Sequence, residues 1–276
     1  RRMALKKFFC FLVICMLLSS SCCIREEIAV KSKKRHFIQW DSYLGYIVNE
    51  DIIIDLAYIA AAEDCYTIEN ISYISLDSNK GDILVEAIDV FSGTEISDYS
   101  LETLSLTLEP LNIGTYYITG VEIREKDEKK SSYYDIGNWT LDIRDTFSGN
   151  IEYGKCSYVS NVFENFFCEI INKNNKDIKV EGIYFHLKNK TPEVKITESK
   201  SFDVYPASGS NIIPSLEMRY FNFQFLNDKD ILFSNFVAIK PFLCYTKDGE
   251  EFYAPMNTAI YNSVYTDDDI LEIMNN

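Results

Sequence analysis

Histidine is almost missing from this chain. The 276 residues hold two, His36 and His186, and neither has a second His or a Cys at ligand spacing. Eight cysteines are present, yet no C-x-x-C occurs, which argues against zinc-ribbon and thioredoxin-like chemistry. No G-x-G-x-x-G and no P-loop signature appears, so dinucleotide and nucleotide chemistry lack their phosphate cradles. The G-x-S-x-G elbow of serine hydrolases is missing too. Glycine (11) and proline (6) are scarce, which speaks against collagen-like or long disordered regions. Basic residues are outnumbered, 27 to 42, for a formal charge of −15. Such a surface repels phosphate backbones, and no nucleic-acid partner is expected. Alternating strand–helix units are also missing, which disfavours an α/β solute-binding architecture.

The first segment carries an address. RRMALKK is a basic n-region, and Phe8–Leu18 is an apolar run of signal-peptide length. It falls short of the roughly 20 apolar residues of a membrane-spanning helix. Small residues then lead into cysteine (SSSCC), which resembles a bacterial lipobox with Cys22 in the lipidated position. Ser19 stands where that pattern has an aliphatic residue, so plain secretion and a retained anchor remain alternatives. The expected organisation is a signal peptide over 1–21 and a polar tether over 22–48. Two domains follow, 49–148 (its core repeat from 65) and 149–265, with a tail over 266–276.

The two domains rest on self-comparison. CYTIENI (65–71) lies against CSYVSNV (156–162), and LDSNKGDILVEAIDV (76–90) against INKNNKDIKVEGIYF (171–185). ITGVEIREKD (118–127) then matches IKPFLCYTKD (239–248), and 133–143 matches 252–262. Four blocks in the same order imply tandem copies of one domain. Period-two apolar patterning marks strands, slipping phase at Ala87 and Gly182 as a β-bulge or a strand-to-strand bend would. Asp248-Gly249 is a hairpin turn. NEDIIIDLAYIAAAED (49–64) fits a short helix through its alanines or an edge strand, with strand preferred for Ile52–Tyr58, and TDDDILEIMNN fits a short helix. Many short strands between turns make the fold class all-β, with two tandem β-sandwiches.

A leader of this kind followed by modules reading NKNNKDIKVEGIYFHL is similar to the immunoglobulin-like β-sandwich domains of exported lipoproteins from low-GC Gram-positive bacteria. The resemblance implies modules displayed on the outer face of a cell membrane for binding or spacing, with a lipid anchor at Cys22.

Cys168 and Cys244 fall in strands of the second module at a spacing compatible with an inter-sheet bridge; two buried thiols are the alternative. His186, between Phe185 and Leu187, should face outward. The Asx-rich turns at Asp77, Asn79, Asp82 and at Asn172, Asn174, Asp177 read as turns rather than calcium sites. No cofactor, metal or catalytic residue is expected. The function expected is a membrane-anchored, non-enzymatic binding or structural lipoprotein, partnered by another surface protein or a glycan. Two alternatives remain. A glycan-binding accessory protein needs exposed aromatics, drawn from Tyr116-Tyr117, Tyr133-Tyr134 or Tyr220. A cell-surface hydrolase needs His186 beside a nucleophile and an acid.

Overall fold

In YSLETLSLTL, every second residue from Ser100 to Leu108 is buried and those between are half-exposed, the signature of a strand packed on one face. The same logic runs through the computed structural model, which describes residues 35–145, 150–156, 159–160, 163–187, 192–199, 210–226, 236–261 and 267–275. Arg1–Arg35 is one unit, of which only Arg35 is described, and His36–Asn276 is a second, compact unit.

The first module holds β1 (Arg35–Phe37), β2 (Trp40–Ile47), β3 (Ile53–Ala61), β4 (Ile71–Ser78), β5 (Ile83–Ile96), β6 (Tyr99–Leu108), β7 (Gly114–Glu125) and β8 (Ser132–Arg144). One layer runs β1-β3-β6-β5 and the other β4-β7-β8-β2. β5 belongs to both, because Ile83 and Leu84 pair with β4 and the strand from Val85 onward pairs with β6. Between the layers, Ile54, Leu56, Leu104 and Leu106 meet Leu76, Ile118, Val121 and Trp139.

The second module holds β9 (Ile151–Cys156), β10 (Val159–Ser160), β11 (Asn165–Asn172), β12 (Ile178–Tyr184), β13 (Glu193–Ser199), β14 (Ile212–Ile213), β15 (Met218–Leu226), β16 (Phe236–Lys240), β17 (Phe242–Lys247), β18 (Glu250–Pro255) and β19 (Ala259–Tyr261). Its layers run β13-β15-β11-β9 and β14-β12-β17-β18. Phe221, Phe223 and Phe225 fill its core, as the alternation of RYFNFQF requires. Helix α1 (Asp267–Asn275) lays Ile270 and Met274 against Ile59 of β3.

Labelled in chain order, each module has strands A, B, E and D in one layer and C, F and G in the other. In the first these are β1-β3-β6-β5 and β4-β7-β8; in the second, β9-β11-β15-β13 and β12-β17-β18. This is the order of immunoglobulin constant-type sandwiches. In the first module β2 runs parallel beside the G strand, β8, and in the second β10 runs parallel to β19, which follows the G strand β18 in the chain.

The tandem copies are therefore present, but half of the sequence alignment is one strand out of register. The two C-terminal blocks do match F with F and G with G. The second block sets C against B and D against C, and the first sets the B–C connection against the end of A. Cys65 follows a 3₁₀ turn (Ala62–Asp64) in the B–C connection, whereas Cys156 ends β9. Both phase slips are bulges as expected, between Val85 and Ala87 and between Val180 and Gly182, though on non-equivalent strands. The Asp248-Gly249 turn has both residues at positive φ, matching the twist of the β17–β18 hairpin.

The tether over 22–48 requires correction. From Arg35 onward it is strand, and Phe37, Ile38, Trp40, Tyr43, Leu44 and Tyr46 are buried. The reason is that β2 is apolar on both faces. Trp40, Leu44 and Tyr46 enter the first core, and Tyr43 the second. Its parallel neighbour β16 divides the same way: Phe236 and Ala238 face the first core, Val237 and Ile239 the second. Two adjacent strands thus serve both modules, which join through one eleven-stranded sheet.

Candidate functional site

The junction between the modules holds two partly buried ion pairs, Arg144–Asp142 and Lys240–Glu50. Arg144, at the end of β8, places its guanidinium 4.4 Å from the ring centre of Tyr184 and 4.5 Å from those of Phe242 and Tyr253. Its Nε and Nη2 donate to Asp142 Oδ2 at 3.1 and 3.0 Å, and the same oxygen accepts from Tyr43 Oη at 2.7 Å. Burial first, then Asp142, raises the Tyr43 hydroxyl pKa. Burial alone would lower Arg144, but Asp142 and Tyr43 hold it above its ordinary value. Nearby, Lys240 pairs with Glu50 and sits 3.6 Å over the ring of Tyr46. Burial lowers the Lys240 pKa and Glu50 opposes that shift. These groups lock β8 and β2 to β12, β16, β17 and β18.

Beside this joint the outer face of β7 and β8 stays open. A cleft of about 350 Å³ is lined there by Tyr117, Thr119, Asn138, Thr140 and His186, over the backbone at Ile118 and Trp139. Pockets of this size at domain junctions are common ligand sites. Tyr117 is 46% exposed and Tyr133 57%. Their neighbours Tyr116 and Tyr134 pack toward the core, as strand alternation dictates. Tyr133 lies across Gly120, where an added Cβ would collide with its ring and hydroxyl. Its hydroxyl donates to Asp77 Oδ2 at 3.2 Å. Asn138 Nδ2 donates to Asp41 Oδ1 at 2.8 Å, which fixes the amide at the cleft wall.

His186 lies just past β12, half-buried and outward between buried Phe185 and Leu187. Its ring stands 5.2 Å from that of Tyr43 and 6.1 Å from that of Tyr184. Among the described residues the cleft lining holds no Ser, no Cys and no carboxylate. The described residues lining the cleft therefore do not supply the nucleophile and acid that the hydrolase alternative places beside His186. His36 is exposed on β1.

The cysteines pair differently from the sequence expectation. Cys168 is bonded to Cys156, its direct partner across β9 and β11, and not to Cys244. The strands of the expected bridge are indeed B and F. However, Leu243 and Tyr245 take the inward positions of β17, so Cys244 faces outward beside Gly182 and Tyr253. Burial first, then Glu251, pushes the Cys244 thiol up to about 12, which leaves it unreactive at neutral pH. Cys22 lies outside the described residues.

The Asx turns work as turns. Asn79 Oδ1 accepts from Tyr117 N–H, and Asn172 Nδ2 donates to the carbonyls of Lys176, Ile213 and Pro214. Asp177 accepts from Ser215 N–H. Among the described residues no three His, Cys, Asp or Glu side chains gather as a metal ion would need.

Comparison with known proteins adds little to this geometry. No protein-family model matches the chain, and no curated protein does. Among solved structures, the crystal structure of Rst D1-D2 aligns at 8% identity over 83% of this chain and 99% of its own, with a TM-score of 0.23. A marsupial T cell receptor aligns at 8% identity over 82% of this chain and 62% of its own, with a TM-score of 0.21. Scores this low carry no argument, and the immunoglobulin-like reading rests on strand order.

Proposed function

We propose that this chain is a non-enzymatic binding protein held on the outer face of a cell membrane by lipid on Cys22. The junction cleft would be its ligand site. The observation that carries the reading is the lining of that cleft: a ring, hydroxyls, an amide and an imidazole on rigid strands, which suit holding a ligand rather than transforming one. The joint at Arg144 supports the same view, because it fixes the two walls relative to each other.

Two measurements test the reading. Metabolic labelling with a radioactive fatty acid should mark the full chain and fail to mark Cys22→Ser; equal labelling of both would overturn the anchor. The detergent-solubilised full chain should retain at least one ligand from a mixed panel of oligosaccharides and extracellular proteins. Thr119→Trp, which fills the cleft, should lose it while melting like the parent. A ligand held equally by both forms would overturn the cleft as the site.

A further inference from the structure

We infer that the ligand of the junction cleft is a neutral sugar, stacked on Tyr117 and hydrogen-bonded along its edges by Thr119, Asn138 and His186. This rests on the cleft being the binding site, and it adds the ligand's chemical class.

Charge comes first. The chain carries −15 overall, yet among the described residues the side chains lining the cleft include no Lys, Arg, Asp or Glu. An ionic ligand would lose hydration against that lining without meeting a counter-charge from it, which is costly. An uncharged ligand fits the described lining.

Shape and hydrogen bonding narrow it further. Tyr117 presents an aromatic ring, 46% exposed, on a strand whose hydrogen bonds to β8 hold it in place. A pyranose has an apolar face of C–H groups that packs against such a ring, and a rim of hydroxyls that need partners. Thr119 offers a hydroxyl, Asn138 an amide and His186 an imidazole, and each of these types both donates and accepts. The groups are also preorganised. Asp41 fixes Asn138, and the rings of Tyr43 and Tyr184 flank His186. Preorganisation lowers the ordering cost of binding. The cleft, about 350 Å³, lies at the lower end of the range for small-molecule sites.

The test uses the full chain in detergent micelles with neutral trisaccharides of glucose, mannose, galactose and N-acetylglucosamine, and a sulfated trisaccharide as the charged control. Calorimetry should show binding of at least one neutral trisaccharide and none of the sulfated one. Tyr117→Ala should weaken it by about tenfold or more and Tyr117→Phe by less than about threefold, as loss and retention of a stacking ring require. Phe91→Ala, which removes an exposed ring from β5 in the other layer, should bind like the parent. Binding of no neutral trisaccharide, preferred binding of the sulfated one, or parental affinity in Tyr117→Ala would overturn the inference. If the panel ligand proves to be a protein that Thr119→Trp loses, the sugar inference fails while the cleft stands as the binding site. If Thr119→Trp changes nothing, both fail.

Discussion

Single side chains decide the chemistry of the cysteines and of the joint. Replacing both Cys156 and Cys168 by Ser should lower stability by about 3 kcal/mol, the scale for a loop of this length, and Cys244→Ser should cost far less. Denaturant titration of the three variants checks this. With its pKa pushed up to about 12, Cys244 should alkylate at pH 8 on the order of a thousandfold more slowly than a solvated thiol. Its rate should climb as pH approaches 12. The sign of the linked stability follows: the folded chain binds this proton more tightly, so stability is unaffected below about 9 and falls as pH rises toward 12. Arg144→Ala strips the cation from three rings and leaves Asp142 without its guanidinium, at a cost of about 3 kcal/mol. Arg144→Lys should recover only part of that, because an ammonium cannot stack as a plane. Little of this was legible beforehand. Cys168 and Cys244 do sit in strands B and F. Which way a cysteine faces depends on strand phase, and Tyr245 and Leu243 claimed the inward positions of β17.

At the scale of elements, apolar period and turn chemistry mark those strands that have one wet face and a clear alternation. β15, the β17–β18 hairpin and both bulges follow from local sequence alone. β2 was missed because a strand buried on both faces lacks the clean apolar–polar alternation of a one-sided strand. The repeat slipped by one strand because B, C and D all share short apolar periods between Asx turns, so similarity cannot tell neighbours apart. Glycine substitutions separate the elements by mechanism. Gly137 has φ +88°, and an added Cβ would stand 2.3 Å from the Trp40 carbonyl oxygen. Gly182 has open space up to Ile196 Cδ1 at 3.8 Å. Gly137→Ala should therefore lower the melting temperature markedly, by roughly 2 kcal/mol or more of stability, while Gly182→Ala shifts it little. Thermal scans of the two variants make the comparison.

At the scale of the whole molecule, two cores that share β2 and β16 should melt together. Calorimetry should show one transition rather than two, and fragments cut between residues 148 and 149 should not fold as stable halves, since each would lose strands lining its core. Two resolved transitions would contradict this. The candidate site belongs to this scale as well. Tyr117, Asn138 and His186 are distant in sequence, and only the docking of β12 beside the face of β7 and β8 makes them one cleft. The exposed tyrosines could be named in advance as a class but not located, because alternation says which residues share a face and not which face stays open. The sequence by itself determined the all-β class, the strand–turn rhythm and the lack of nucleotide and zinc motifs, since these depend on local periodicity and residue type. Tertiary structure alone decided which cysteines meet, which strands serve two cores and where rings stay exposed, because each depends on pairing between strands far apart in the chain.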